Sequence, residues 1–152
     1  MITRQPGIRL VRCDALGHLT DPIGDVSETF YDHIRGMTDL YTEIGYARPW
    51  VTYAAVLQAR VVGGGAFVGP PTNGAVEIAF FTLSPYARRD FEAAIVRALL
   101  DIATKEEPGI KVYTKTRPQC SWTTEVIRRL AFGWAPARHW RLSEATWLWV
   151  EH

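Results

Sequence analysis

The residues best suited to chemistry gather in one stretch, 75–94, which reads "AVEIAFFTLSPYARRDFEAA". Glu77 interrupts a run that is otherwise β-branched, aromatic and apolar. A carboxylate in such a strand needs either a charged partner or a cleft, and in a cleft it can act as a general base. A salt bridge to a neighbouring strand or helix is the equal alternative. The junction "LSPYARRDFEAA" (83–94) then joins a strand to a helix. A helix start presents unpaired backbone N–H groups and suits an anion. Turns that wrap a pyrophosphate use glycine to curl those amides inward, and this junction has none. Arg88 and Arg89 can substitute charge-assisted contacts or simply be solvated. Asp90 either caps the helix, the preferred assignment, or places a carboxylate where a phosphate would sit.

Other reactive side chains are scattered. His18, His33, His139 and His152 form no metal-ligand spacing, so no metal is expected. His33 falls in an early helical segment, either touching a substrate or merely exposed. Asp25, Glu28, Asp32, Asp39 and Glu43 make that segment acidic against a single Arg35. It is either a lid suited to a cationic amine or an ordinary solvated face. Cys13 and Cys120 show no disulfide or zinc pattern, and a lone cysteine is most often a small buried hydrophobe. Tyr86 and Tyr113 are hydroxyl donors for which packing is the plainer role.

The elements that must position these groups follow from periodicity. "GIRLVRC" (7–13) alternates as a first strand. A helix is expected from about Asp25 to Gly45, with Phe30, Ile34 and Tyr41 on its buried stripe and Gly36 suggesting a bend into two short helices. Strands are expected at 51–57 and 60–68, linked as a hairpin. Gly63, Gly64 and Gly65 mark a bulge or a close backbone approach. The strand 75–83 is central. The next helix turns Phe91, Ile95, Ala98, Leu99 and Ile102 inward, with Glu92, Arg97 and Asp101 toward solvent. A strand at 110–116, a helix at 121–131 and two terminal strands complete the chain. Hairpins together with helical crossovers make this an α/β protein (α+β in some schemes) with a mixed sheet.

The length of 152 residues fits one domain spanning 1–152, and 47% apolar with 22% charged residues is ordinary for a globular protein. A net charge of +1, without a basic block, argues against nucleic acid as the partner. No apolar run is long enough to span a bilayer, and the start lacks the apolar core of a secretory signal, so the cytoplasm is expected. Six tryptophans, mostly in the second half, favour core packing. "TWLWV" (146–150) is either a homodimer surface or core.

Three stretches together resemble the GNAT superfamily of acyl-CoA-dependent N-acetyltransferases. They are "GGGAFVGPPTNGAVEIAFFTLSPYARRDFEAAIVRALLDIA" (63–103), "CSWTTEVIRRLAFGW" (120–134) and "ATWLWVEH" (145–152). The last resembles the ribosomal-protein- and aminoglycoside-acetylating branch. The resemblance implies a mixed, mostly antiparallel central sheet flanked by helices, and acetyl-CoA as cosubstrate for direct transfer to a primary amine of a small molecule or peptide. It implies a central strand that splays from its neighbour, where the backbones of Phe81, Thr82 and Leu83 pair with the pantetheine arm. The Phe81 N–H would polarise the acetyl carbonyl, and Glu77 would act as base or hold a water. The pyrophosphate would meet Arg88, Arg89, Asp90 and Phe91. The motif's arginine falls on Ala87 and its two glycines on Arg88 and Asp90. Cys120 takes the place of the family's asparagine, near the cofactor sulfur, and Thr123 that of its serine. A GNAT-fold protein that binds or oligomerises without catalysing is the alternative, and a sensor unrelated to coenzyme A is a third.

Overall fold

The computed structural model describes residues 7–24, 26–87, 89–116, 132–134 and 147–151. The elements run β1 (Ile8–Arg12), α1 (Glu28–Ile44), β2 (Thr52–Leu57), β3 (Arg60–Phe67), β4 (Ala75–Thr82), α2 (Arg89–Glu106), β5 (Lys111–Thr116), β6 (Phe132–Trp134) and β7 (Trp147–Glu151). A 3-10 turn, Ser84–Tyr86, links β4 to α2. The strands form one sheet in the order β1-β2-β3-β4-β5-β7-β6. Among the described residues only β4 and β5 pair in parallel; the other neighbouring pairs are antiparallel. The mixed, mostly antiparallel α/β sheet expected from the sequence is therefore present. The aromatic strand β7 pairs on both sides, with β5 and β6, so its backbone is not a free edge. The helix expected at 121–131 lies outside the described residues.

Local signals explain most boundaries. Ser27 caps α1 by accepting the Phe30 N–H, and Gly45, at φ 101°, ends it while its N–H donates to the Tyr41 carbonyl. The expected bend at Gly36 is absent: α1 runs unbroken, because a side chain at Gly36 would meet open space and nothing forces a break there. β2 and β3 form the expected hairpin, with Leu57 opposite Arg60 and a register shift between Ala55 and Val56.

The sheet is covered by two apolar clusters. In one, Ile95, Val96 and Leu99 of α2 pack with Val76, Ile78, Phe67, Trp50 and Val112. In the other, Phe30 and Ile34 of α1 pack with Val11, Ala54, Val61 and Leu83. Strand alternation divides β4 between them. Val76, Ile78 and Phe80 belong to the α2 cluster, whereas Phe81 packs in the α1 cluster. Trp50 meets Phe67 edge-on at 5.1 Å, a core role for that tryptophan. Glu92 does not meet solvent as its helical position suggests; it is buried, while Arg97 and Asp101 are exposed.

Candidate functional site

The parallel ladder at the sheet centre is short. Ala75–Ile78 pair with Lys111–Thr114. Beyond that point β5 continues only against β7, through Lys115 and Thr116. β4 continues only against β3, from Ala79 to Thr82. The two central strands therefore part after Ile78 and Thr114. At the fork the Thr114 hydroxyl donates to the Ile78 carbonyl at 2.9 Å, which ties the last paired residues together.

Which backbone groups face the opening follows from the register. Val68 N–H donates to the Glu77 carbonyl, and Leu83 N–H donates to the Val62 carbonyl, each at 2.9 Å. In an antiparallel ladder the residues exchanging hydrogen bonds alternate. Ala79 and Phe81 fall in the same phase, opposite Ala66 and Gly64, so their amides turn to β3. The amides and carbonyls of Phe80 and Thr82 face the open side. Two expectations are thereby corrected. Phe81 does not present its N–H to the opening, because Gly64 of β3 is its ladder partner. Leu83 has both groups engaged: its N–H in the ladder and its carbonyl by the Tyr86 N–H at 2.7 Å. Thr82 faces the open side, as Phe80 does.

Glu77 sits in the closed part of the sheet, paired in register with Tyr113. Its Oε1 lies 3.1 Å from the Lys115 Nζ, with the Glu77 side chain only 16% exposed. The salt bridge weighed against a catalytic role is the arrangement present. Phe81 is four residues along the strand, roughly 13 Å away at the usual rise. Burial, followed by the Glu77 charge, raises the Tyr113 hydroxyl pKa, while Lys115 opposes the shift. Tyr113 is thus held as a neutral phenol beside the ion pair.

At the strand–helix junction, α2 begins at Arg89, and Asp90 is its second residue. Asp90 is therefore inside the first turn rather than at the N-cap expected for it, where it complements the positive end of the helix. Phe91 is buried, 6% exposed. Arg88, Cys120 and Thr123 lie outside the described residues.

Two features were not singled out by sequence pattern. The His33 ring stacks on the Phe81 ring, with centroids 4.5 Å apart and an interplanar angle of 16°. Phe30 lies 6.0 Å from the same ring, tilted by 41°. Gly64 makes the seat, since a Cβ there would come within 2.8 Å of the Phe81 ring. The signal available was spacing: His33 follows Phe30 by three, on the rim of the buried stripe of α1. A cleft of about 440 Å³ is lined by Ser27, Thr29, Arg60, Leu83, Ser84 and Tyr86, among others. Among the described residues no three His, Cys, Asp or Glu side chains converge to hold a metal. Nor is any helix among them long and apolar enough to cross a membrane.

No protein-family model matches the chain, and no curated protein sequence does. Solved structures do match in shape. RimL, a ribosomal L7/L12 alpha-N-protein acetyltransferase seen in complex with coenzyme A disulfide-linked to one of its cysteines, is 19% identical. That match has a TM-score of 0.58 and covers 82% of this chain and 71% of RimL. An acetyltransferase from Agrobacterium tumefaciens gives 17% identity and a TM-score of 0.60 over 85% of this chain and 73% of that one. A Bordetella pertussis protein assigned to the GNAT acetyltransferase family gives 14% identity and a TM-score of 0.60 over 100% and 99%. At such identities the likeness is one of fold. The chain has the fold of the GNAT acetyltransferases, with the parted central strands just described.

Proposed function

We propose that this protein is an acetyl-CoA-dependent N-acetyltransferase, passing the acetyl group directly to a primary amine in a ternary complex. The observation that carries the proposal is the open edge of β4. Phe80 and Thr82 offer amides and carbonyls there that an extended amide-bearing chain can pair with as another strand would. Pantetheine, with its two amides, is such a chain. The residues present fit that arm. The diphosphate would fall at the start of α2, near Arg88, Arg89, Asp90 and Phe91, with Thr123 and Cys120 assigned to the sulfur end by resemblance. Bound acetyl-CoA supplies an activated acyl thioester. The chain's own residues hold the arm along β4 and, with the cleft at Ser27, Thr29 and Ser84, receive the acceptor. Likeness to RimL supports a peptide N-terminus as one acceptor class, and an aminoglycoside or other small amine is the other. A soluble cytoplasmic enzyme acting without nucleic acid, as a monomer or homodimer, is consistent with this role.

A second reading has its own support. The 83–90 junction lacks glycine, and the Phe81 and Leu83 amides are committed to β3. A protein of this fold that no longer binds coenzyme A normally, and serves as a binding module, would show those features. Calorimetric titration with acetyl-CoA and with free CoA separates the two. The enzyme should bind in the micromolar range, about −7 to −8 kcal/mol. No heat at millimolar ligand leaves the binding module and refutes the enzyme.

A further inference from the structure

We infer that His33 is the proton acceptor for the incoming amine, a role that rests on the acetyltransferase function proposed above. Its place is the first ground. The imidazole lies flat against the Phe81 ring, and Phe81 stands between Phe80 and Thr82, the two residues whose backbone faces the opening of the sheet. The ring is thus anchored over the segment where the arm would run, while the residue itself stays exposed to solvent.

Its tautomer is the second ground. His33 Nδ1 lies 2.7 Å from the Thr29 carbonyl oxygen, one turn earlier on α1. A carbonyl only accepts, so Nδ1 carries the proton and Nε2 carries the lone pair. Among the described residues Nε2 has no hydrogen-bond partner and no carboxylate within ion-pair distance. Thr29, which fixes the tautomer, also lines the 440 Å³ cleft, so the cleft and the base share that residue.

The charged and titratable neighbours do not compete for this role. On α1, Asp32 is paired with Arg35 at 2.8 Å, and Tyr31 is turned to His18, whose ring meets it edge-on at 6.5 Å. On the strands beneath, Phe81 is uncharged, and Glu77 with Lys115 form the separate ion pair at the closed end of the fork. Imidazole is the commonest general base among side chains. The step balances simply. One N–H bond of the acceptor ammonium breaks, its electron pair stays on nitrogen, and the proton moves to Nε2. That leaves a neutral nucleophilic amine and an imidazolium, which later returns the proton to water.

The test compares wild type with H33Q, using acetyl-CoA and a panel of a polyamine, an aminoglycoside and N-terminally free tripeptides. H33Q should bind acetyl-CoA as wild type does, yet lose about 10²–10⁴-fold in kcat/KM at neutral pH. The deficit should shrink as pH rises, because the amine then arrives already deprotonated. A readout independent of turnover is the long-range proton–nitrogen NMR spectrum of wild type. It should show the Nδ1–H tautomer at His33, with Nε2 shifting on addition of the acceptor amine. Undiminished turnover in H33Q with cofactor binding intact, or an Nε2–H tautomer, overturns the role of His33 alone. Failure of wild type to bind acetyl-CoA or to acetylate any panel amine overturns the acetyltransferase function and this role with it.

Discussion

Replacing Gly63 by alanine tests how β3 and β4 are held. A Cβ at Gly63 would stand 2.3 Å from the Phe81 carbonyl oxygen and 2.9 Å from the Thr82 Cα. Both are backbone atoms, so no side-chain rotation relieves the contact. β4 must move by about 1 Å to restore an ordinary separation, and that motion strains the ladder at Gly64–Phe81 and Gly63–Thr82. Overpacking of this kind costs about 1–3 kcal/mol, against at most about 1 kcal/mol gained by restricting the unfolded chain. For a chain of this length each kcal/mol shifts the melting temperature by about 2–4 °C. G63A should therefore melt several degrees below wild type and bind acetyl-CoA more weakly, since the displaced segment is the open edge. G65A makes the comparison sharp. Its Cβ would meet Leu99 Cδ1 at 2.8 Å, the far end of a flexible side chain, so it should cost less than G63A. G36A, where nothing lies within 4 Å, should instead stabilise α1 by roughly 0.5–1 kcal/mol. Melts followed by circular dichroism, with calorimetric binding, give the order. G63A as stable as wild type, or less damaging than G65A, would refute the close-approach argument.

Alkaline titration should unfold the protein through its buried acids. Burial, aided by the Asp14 charge, pushes the Cys13 thiol from 9.0 to about 12, and burial pushes the Tyr53 hydroxyl from 10.0 to about 12. Burial also raises Tyr41. These folded values lie above the unfolded ones, so the unfolded chain releases its protons first and binds fewer. Stability is then full below pH 9 and falls from there toward about pH 12, by at most about 1.4 kcal/mol per pH unit for each group. Urea unfolding at a series of pH values should show this decline, with C13A delaying its onset to about pH 10; a flat profile to about pH 11 would contradict it. Thiol labelling provides a further check. Cys13, buried and protonated, should resist a disulfide reagent at neutral pH, so any rapidly labelled thiol of the native protein is Cys120. Its protection by acetyl-CoA, read by mass spectrometry, is the outcome expected if Cys120 borders the cofactor sulfur. Equal labelling with and without ligand would remove it from the site.

Local pattern was enough for the elements of this fold. The alternation of 7–13, the β-branched run at 75–82, the stripe Phe30–Ile34–Tyr41 and the stop at Gly45 each depend on side chains close in sequence, and the structure agrees with them. The three consecutive glycines announced a close backbone approach for the same reason, because only a missing Cβ admits one. The mixed sense of the sheet followed from hairpins alternating with helical crossovers, whereas the strand order came from the tertiary structure. What stayed hidden is non-local. Glu77 looked equally able to face a cleft or a cation, and it was Lys115, brought alongside by the parallel register of β4 and β5, that decided the matter. Periodicity says which side chains share a face of a strand. It does not say toward which neighbour each amide turns, since that depends on the partner and phase of the ladder. Hence the family resemblance implied an open edge at residues 81–83, but the pairing of Leu83 with Val62 and Glu77 with Val68 turns the amides of Phe80 and Thr82 to the open side instead. His33 shows the same limit. Its helical position put it on the rim of a buried stripe, and the packing of α1 on the sheet set it flat against the Phe81 ring.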